Sequence, residues 1–423
     1  MNFTAVLCFV GFVFLLITMF KRSTDIFSPG RLFAMVWLLA IGMTELKLSR
    51  FQYEWSFYSW IMLLIPLISF LLGVYCLFVT NFNKKLKPLF RIRLSNEPLM
   101  INERKLFVSI LVLFGLFLIS YYVTYKAMGY LPILVKYKDA ANSRWGIFGF
   151  GLFIEAVPII IFLSSIYFII PRVSKVKKIN SLLIIIISFI LYVTLLQRFY
   201  LILSMLLIFI AVYYLTGKMS TKNVLIMTAI VILIIYGISS IRLSRYEQNI
   251  VYYLSDMKYS PKYSFITEPY MYVCMNLENY AKAVERLTKH TYGYFSADWI
   301  LALSGLKHNI QSYCRIDDRP FVITSSFNTY TTFYSYYSDF GIIGVFIIPY
   351  ALGLIVSSLY FRMRNNPNIH TVSIYALCVF IMLFSFFIPI LHWLHFVFNA
   401  ATLYFITRVC VKKEHPASNC GGQ

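Results

Sequence analysis

Acidic side chains are scarce in this chain: 17 Asp and Glu stand against 38 Lys and Arg, and charged residues of every kind make up 13%. A soluble domain carries about 25% charged residues. With 60% hydrophobic residues, the deficit excludes an ordinary soluble domain. Catalytic signatures are missing as well. No P-loop, Gly-x-Ser-x-Gly, His-Glu-x-x-His or dinucleotide fingerprint occurs, which argues against ATP hydrolysis, zinc proteolysis and hydride chemistry. No Cys-x-x-Cys pattern occurs, so no zinc or redox site is indicated. Met1 to Phe20 has neither a basic flank nor a small-residue cleavage site and reads as a retained span. No internal repeat or low-complexity tract is visible.

What is present is a series of apolar runs. Runs of about 17–25 residues are long enough to cross a bilayer. They occur at 2–20, 31–48, 56–80, 105–127, 147–170, 180–196, 199–216, 222–241, 341–361, 372–391 and 393–410. The pattern predicts an all-α polytopic membrane protein with about eleven transmembrane helices. It also predicts one large extracytoplasmic loop containing short helices. Three parts follow: N-terminal helices over 1–241, the loop over 242–340, and C-terminal helices with a tail over 341–423. The formal net charge of +21 would suggest nucleic acid in a soluble protein. Here the basic residues cluster in alternate connections, as cytoplasmic loops require, and no nucleic-acid partner is expected. Lys21, Arg22 and Arg31 flank one such connection, Lys84 to Lys105 another, and Lys412 and Lys413 the tail. The N-terminus, the large loop and the connections near 49–55, 128–146 and 197–198 then face outward.

The large loop is rich in Tyr, Ser, Thr, Asn and Arg, residue types that handle sugars and phosphates. A helical pattern over Glu278–Lys289 and a second short one over Asp298–Leu306 lie inside it. Four arginines run against the prevailing charge rule at outer helix ends: Arg144, Arg198, Arg242 and Arg245. Arg pairs bidentately with phosphate oxygens, and the alternative for each is snorkelling. His392 and His395 flank Trp393 and are candidates for a base or a phosphate donor, or for an interfacial aromatic belt. His290 and His308 read as surface residues. Asp339 is a candidate helix cap that also orients an acceptor hydroxyl. Glu155, an acid within a span, is a functional candidate by position. Asp317 and Asp318 lack a third ligand, and no metal is expected. Cys274 and Cys314 both fall in the loop, where a disulfide between them is one of two open outcomes.

Asn328-Thr-Tyr-Thr-Thr-Phe, then Tyr337-Ser-Asp-Phe-Gly341 and Gly344, resembles the segment leading into a late span of Wzy-type O-antigen polymerases. Tyr292-Gly293, Asn142-Ser143-Arg144, Arg198, and Arg242 with Arg245 resemble further pieces of that family. The resemblance implies a metal-independent glycosyltransferase without cofactor in the bacterial inner membrane, its active site facing the periplasm. It would polymerise undecaprenyl-diphosphate-linked repeat units into a surface polysaccharide such as O-antigen, with a chain-length regulator protein as a further partner. Arg198, Arg242, Arg245, Asp339 and His392 would be catalytic. Arg144, Asn328, Tyr330, Tyr337 and His395 would bind substrate. The rival readings are an O-antigen ligase and a non-enzymatic flippase of lipid-linked sugars.

Overall fold

A computed structural model describes residues 2–20, 25–81, 101–135, 145–170, 173–197, 199–216, 245–317 and 320–411, with isolated positions between 223 and 233. The regular secondary structure of the described residues is all helical, apart from two isolated antiparallel bridges, Ser49 to Met257 and Ile101 to Val411. Among the described residues, five helices are long and apolar enough to cross a membrane: Phe57–Thr80, Glu103–Met128, the broken helix Phe150–Ile169, Lys175–Val193 and Thr332–Asn365. Five more are apolar but shorter: Phe3–Thr18, Pro29–Thr44, Phe199–Leu215, Ile369–Phe384 and Leu394–Cys410. The span expected at 222–241 lies outside the described residues except for scattered positions.

The chain divides into two compact units. The first comprises 1–89, 219–365 and 377–397. Its helices are α1 (Phe3–Thr18), α2 (Pro29–Thr44) and α3 (Phe57–Thr80). The second comprises 90–218, 366–376 and 398–423. It holds α4 (Glu103–Met128), α5 (Phe150–Ile154), α6 (Val157–Ile169), α7 (Lys175–Val193) and α8 (Phe199–Ala211). Local signals set the ends. Ser56 caps α3 by accepting from the Ser59 N–H at 3.2 Å. Asn102 caps α4 in the same way at 3.1 Å, and Gly129 closes that helix at φ 74°. The expected single span 147–170 is two helices, because the chain turns at Glu155–Ala156 ahead of Pro158. The Tyr192 hydroxyl lies 2.6 Å from Glu155 Oε2 and 2.7 Å from Gln197 Oε1, and Asn399 Nδ2 donates to the Glu155 carbonyl at 2.7 Å.

The polar loop of the first unit is also helical: α9 (Arg245–Leu254), α10 (Thr267–Arg286), α11 (Asp298–Leu303) and α12 (Lys307–Cys314). It has a core of its own, in which Tyr252, Met257, Tyr270, Met271, Cys274, Met275 and Phe327 pack with Leu46, Leu48 and Phe51. Cys274 is buried in that core and Cys314 is exposed, and both are free thiols. The disulfide therefore does not form; burial instead pushes the Cys274 thiol up to about 12.

α10 organises the loop because its polar residues point inward at both neighbours. On one side Glu278, fully buried, takes Lys47 Nζ at 3.2 Å and Trp55 Nε1 at 2.8 Å. Lys47 also reaches Glu45 at 3.2 Å. Burial raises the proton affinity of Glu278, and Lys47 and the N–H donors oppose that rise. On the other side Asn279 donates to the carbonyls of Phe327 at 2.9 Å and Thr329 at 3.0 Å, and accepts from Ile323 N–H at 3.0 Å.

The last helices are α13 (Thr332–Asn365), α14 (Ile369–Phe384) and α15 (Leu394–Cys410). α13 packs on α3 through small residues. A Cβ on Gly73 would run into the Tyr350 carbonyl, and one on Gly353 into the Phe70 carbonyl. Ser69 and Ser357 donate across the same seam to the carbonyls of Phe346 and Val74. This is the close backbone approach that small residues allow between membrane helices. At its far end α13 carries Arg364, buried in an ion pair with Asp25 at 2.9 Å.

Candidate functional site

The site is built where α13 starts. That helix begins at Thr332, nine residues before the apolar run that marks it in the sequence. Its first turns read Thr332-Phe-Tyr-Ser-Tyr-Tyr-Ser-Asp339, and all eight residues are buried. A helix end with this much polar surface inside needs partners, because an unpaired buried polar group costs about 1–3 kcal/mol. Some partners come from the loop. Asp339, fully buried, accepts from the Thr291 hydroxyl at 2.5 Å, Phe295 N–H at 3.1 Å and Ser296 N–H at 2.7 Å. Asp339 therefore does not cap its own helix. Its own N–H is already seven residues inside α13, so the carboxylate fixes the turn that leads into α11 instead. Other hydroxyls stay unsatisfied. Thr331 Oγ1, Ser338 Oγ and Ser296 Oγ are buried with no partner among the described residues.

Gly341 shapes the far side of the site. Its φ of 60° and ψ of −140° break the helix, a conformation open to glycine. The break lets Gly344 fold back against the Tyr336 carbonyl, where a Cβ would collide. It also makes room for His290, whose Nε2 would lie 3.0 Å from a Cβ at 341. The His290 Nδ1 faces the Ser338 carbonyl at 3.3 Å. A carbonyl only accepts, so Nδ1 carries the proton and Nε2 holds the lone pair. The ring is exposed. It was read from the sequence as a surface residue, and the signal that would have singled it out is its register with Ser338 and Gly341, which appears only on folding.

His392 lies on a short turn between α14 and α15 and is buried edge-on against Tyr336, ring centroids 5.6 Å apart. Burial lowers its proton affinity to about 4, against the pull of Asp339. At neutral pH it is an uncharged ring with little appetite for a proton. The half-buried His395 has an Nδ1 with no partner among the described residues. Tyr330 and Tyr337, expected to meet substrate, are buried with their hydroxyls engaged. Tyr330 donates to the Pro320 carbonyl and stacks on Tyr334 at 4.0 Å. Tyr337 donates to the Val284 carbonyl at 3.1 Å and meets the Tyr58 hydroxyl at 3.2 Å. Asn328 is half-buried on the segment gripped by Asn279. Of the arginines, Arg144, Arg198 and Arg242 lie outside the described residues, and Arg245 is described only as the first residue of α9.

The arrangement joins a carboxylate with both oxygens hydrogen-bonded, three buried hydroxyls without partners among the described residues, and an imidazole on an exposed residue. Compared with known protein families, curated proteins and solved structures, the chain matches none of them.

Proposed function

We propose that this chain is a membrane glycosyltransferase that polymerises lipid-diphosphate-linked oligosaccharide repeat units into a surface polysaccharide, at the outer face of a bacterial inner membrane. The observation that supports it most is the polar head of α13. In a chain of apolar helices, this segment gathers hydroxyls, Asp339 and two imidazoles beneath a folded polar loop. In the reaction, an acceptor sugar hydroxyl attacks the anomeric carbon of the donor. The bond from that carbon to the lipid diphosphate breaks, and the diphosphate leaves with the bonding electrons. Arg198, Arg242 and Arg245 are proposed to neutralise it, a role that suits guanidinium groups in a partly dry site. The hydroxyl proton needs a base. His392 is ill suited, because burial has removed its proton affinity. His290 suits the task better, on an exposed residue whose Nδ1 faces the Ser338 carbonyl. Asp339 is a positioning residue that holds the turn carrying Phe295 and Ser296.

The test is genetic. Deleting the gene in its own bacterium should leave single repeat units on the lipid anchor, with capped but unextended surface glycan on a gel. Complete loss of attached glycan would instead assign the chain to ligation or flipping and overturn the polymerase reading.

A further inference from the structure

The hairpin of α11 and α12 has no interior. No side chain of Asp298–Leu303 or Lys307–Cys314 is fully buried. Yet it is not a polar surface loop. Ile300 is 49% exposed, Leu303 58% and Leu306 49%, and Ile300 and Leu303 share one helix face. Tyr313 and Tyr292 stand out further still, at 91% and 84%. The cation at the hairpin turn is neutralised within the hairpin, because Lys307 Nζ meets Asp298 at 2.5 Å. The apolar α11, flanked by exposed aromatics, suits the zone between lipid headgroups and acyl chains. Its root sits at the right place for that. Gly293 lies beside the Phe340 ring, and Asp339 holds Phe295 and Ser296. Immediately after those contacts α13 shows an exposed apolar face: Phe340, Ile342, Ile343, Phe346 and Ile347. The root of the hairpin thus adjoins the start of a membrane-length helix.

We propose that the α11–α12 hairpin is a membrane-docking element. It lies in the interfacial layer of the bilayer next to α13, with Ile300, Leu303 and Leu306 inserted among the upper acyl carbons. The partner is the lipid surface itself, and the assignment does not depend on the reaction proposed above. Asp339 then couples the depth of the hairpin to the head of α13.

The test uses the full chain in nanodiscs of phosphatidylethanolamine and phosphatidylglycerol. The seven cysteines are replaced, and a fluorophore is placed at Leu303→Cys or, as the polar comparison, Asn309→Cys. Nitroxide carried on shallow acyl carbons should quench position 303 several-fold more than position 309, and aqueous iodide should show the reverse order. Adding Asp339→Asn should reduce the lipid quenching at 303. As a check without cysteine replacement, hydrogen exchange over 298–314 in the unmodified chain should slow on moving from lipid-free amphipol into nanodiscs. Equal iodide access at 303 and 309 would overturn the proposal. So would protection of 298–314 that grows with protein concentration, which would assign the face to a second copy.

Discussion

Individual residues in this protein are set by burial as much as by chemical type. His392 and His290 are the clearest pair. The first lies on a turn between two apolar runs, and the sequence marks it as a catalytic candidate. Folding buries it and brings its proton affinity from 6.5 down to about 4. Its effect on stability follows in sign. Above pH 6.5 neither the folded nor the unfolded ring is protonated, and no contribution arises. As the pH falls from 6.5 toward 4, the unfolded ring takes up a proton that the folded one refuses, so stability is lost, by up to about 3 kcal/mol. Thermal unfolding in detergent between pH 7 and 4.5 should show this loss, and His392→Phe should flatten it; an unchanged slope would put the buried ring elsewhere. His290 is the opposite case, exposed and oriented by a backbone carbonyl. His290→Ala should cut polymer formation about a hundredfold or more with the protein level in the membrane unchanged. Full-length glycan from that variant would remove His290 from the chemistry while leaving the gene-deletion result to stand or fall separately.

At the level of elements, five of the eleven expected spans are membrane-length helices among the described residues, legible because their signal is length and hydrophobicity, which no tertiary contact alters. The runs read at 56–80 and 105–127 are the helices Phe57–Thr80 and Glu103–Met128. The polar helices were legible only in part. α10 begins at Thr267 and α13 at Thr332. Their first turns hide Thr, Ser, Tyr and Asn from water, so the polar residues that suggest loop in a sequence are inward-facing in the fold. The Asp339 contacts to 291–296 were out of reach for a related reason, since their partners lie more than 40 residues away. The glycines of the α3–α13 seam test the packing directly. Gly353→Ala places a methyl group against the Phe70 carbonyl and should cost about 1–3 kcal/mol. Gly115→Ala on α4 has nothing within 4 Å of the new Cβ and should be neutral or stabilising, by up to about 1 kcal/mol. Equal melting shifts for the two variants would mean that α3 and α13 do not meet at these residues.

For the molecule as a whole, the sequence supports a division at 241 and 340, whereas the folded chain groups the N-terminal helices with the loop and most of 341–397, and the middle helices with the C-terminal end. Sequential segmentation cannot see such a return of the chain. The cysteines report on the fold without any knowledge of function. In intact, unreduced membranes a maleimide should label the exposed Cys314, and Cys274 should react only after denaturation. Under the proposed topology a membrane-impermeant reagent should reach Cys314 from outside the cell. Labelling of Cys274 in the folded protein, or a mobility shift on reduction that requires Cys314, would contradict the packed loop core.

The buried contact between Lys47 and Glu278 also imposes an order on biosynthesis. The two residues are 231 positions apart. At about 5–20 residues per second, Lys47 leaves the ribosome roughly 10–50 s before its partner exists. During that interval α1 to α3 must be held by other means, and Glu45, 3.2 Å from Lys47, is a counter-ion available from the start. The early helices therefore form a waiting platform, and the polar loop is completed only when a late-made helix is threaded back onto an early-made connection.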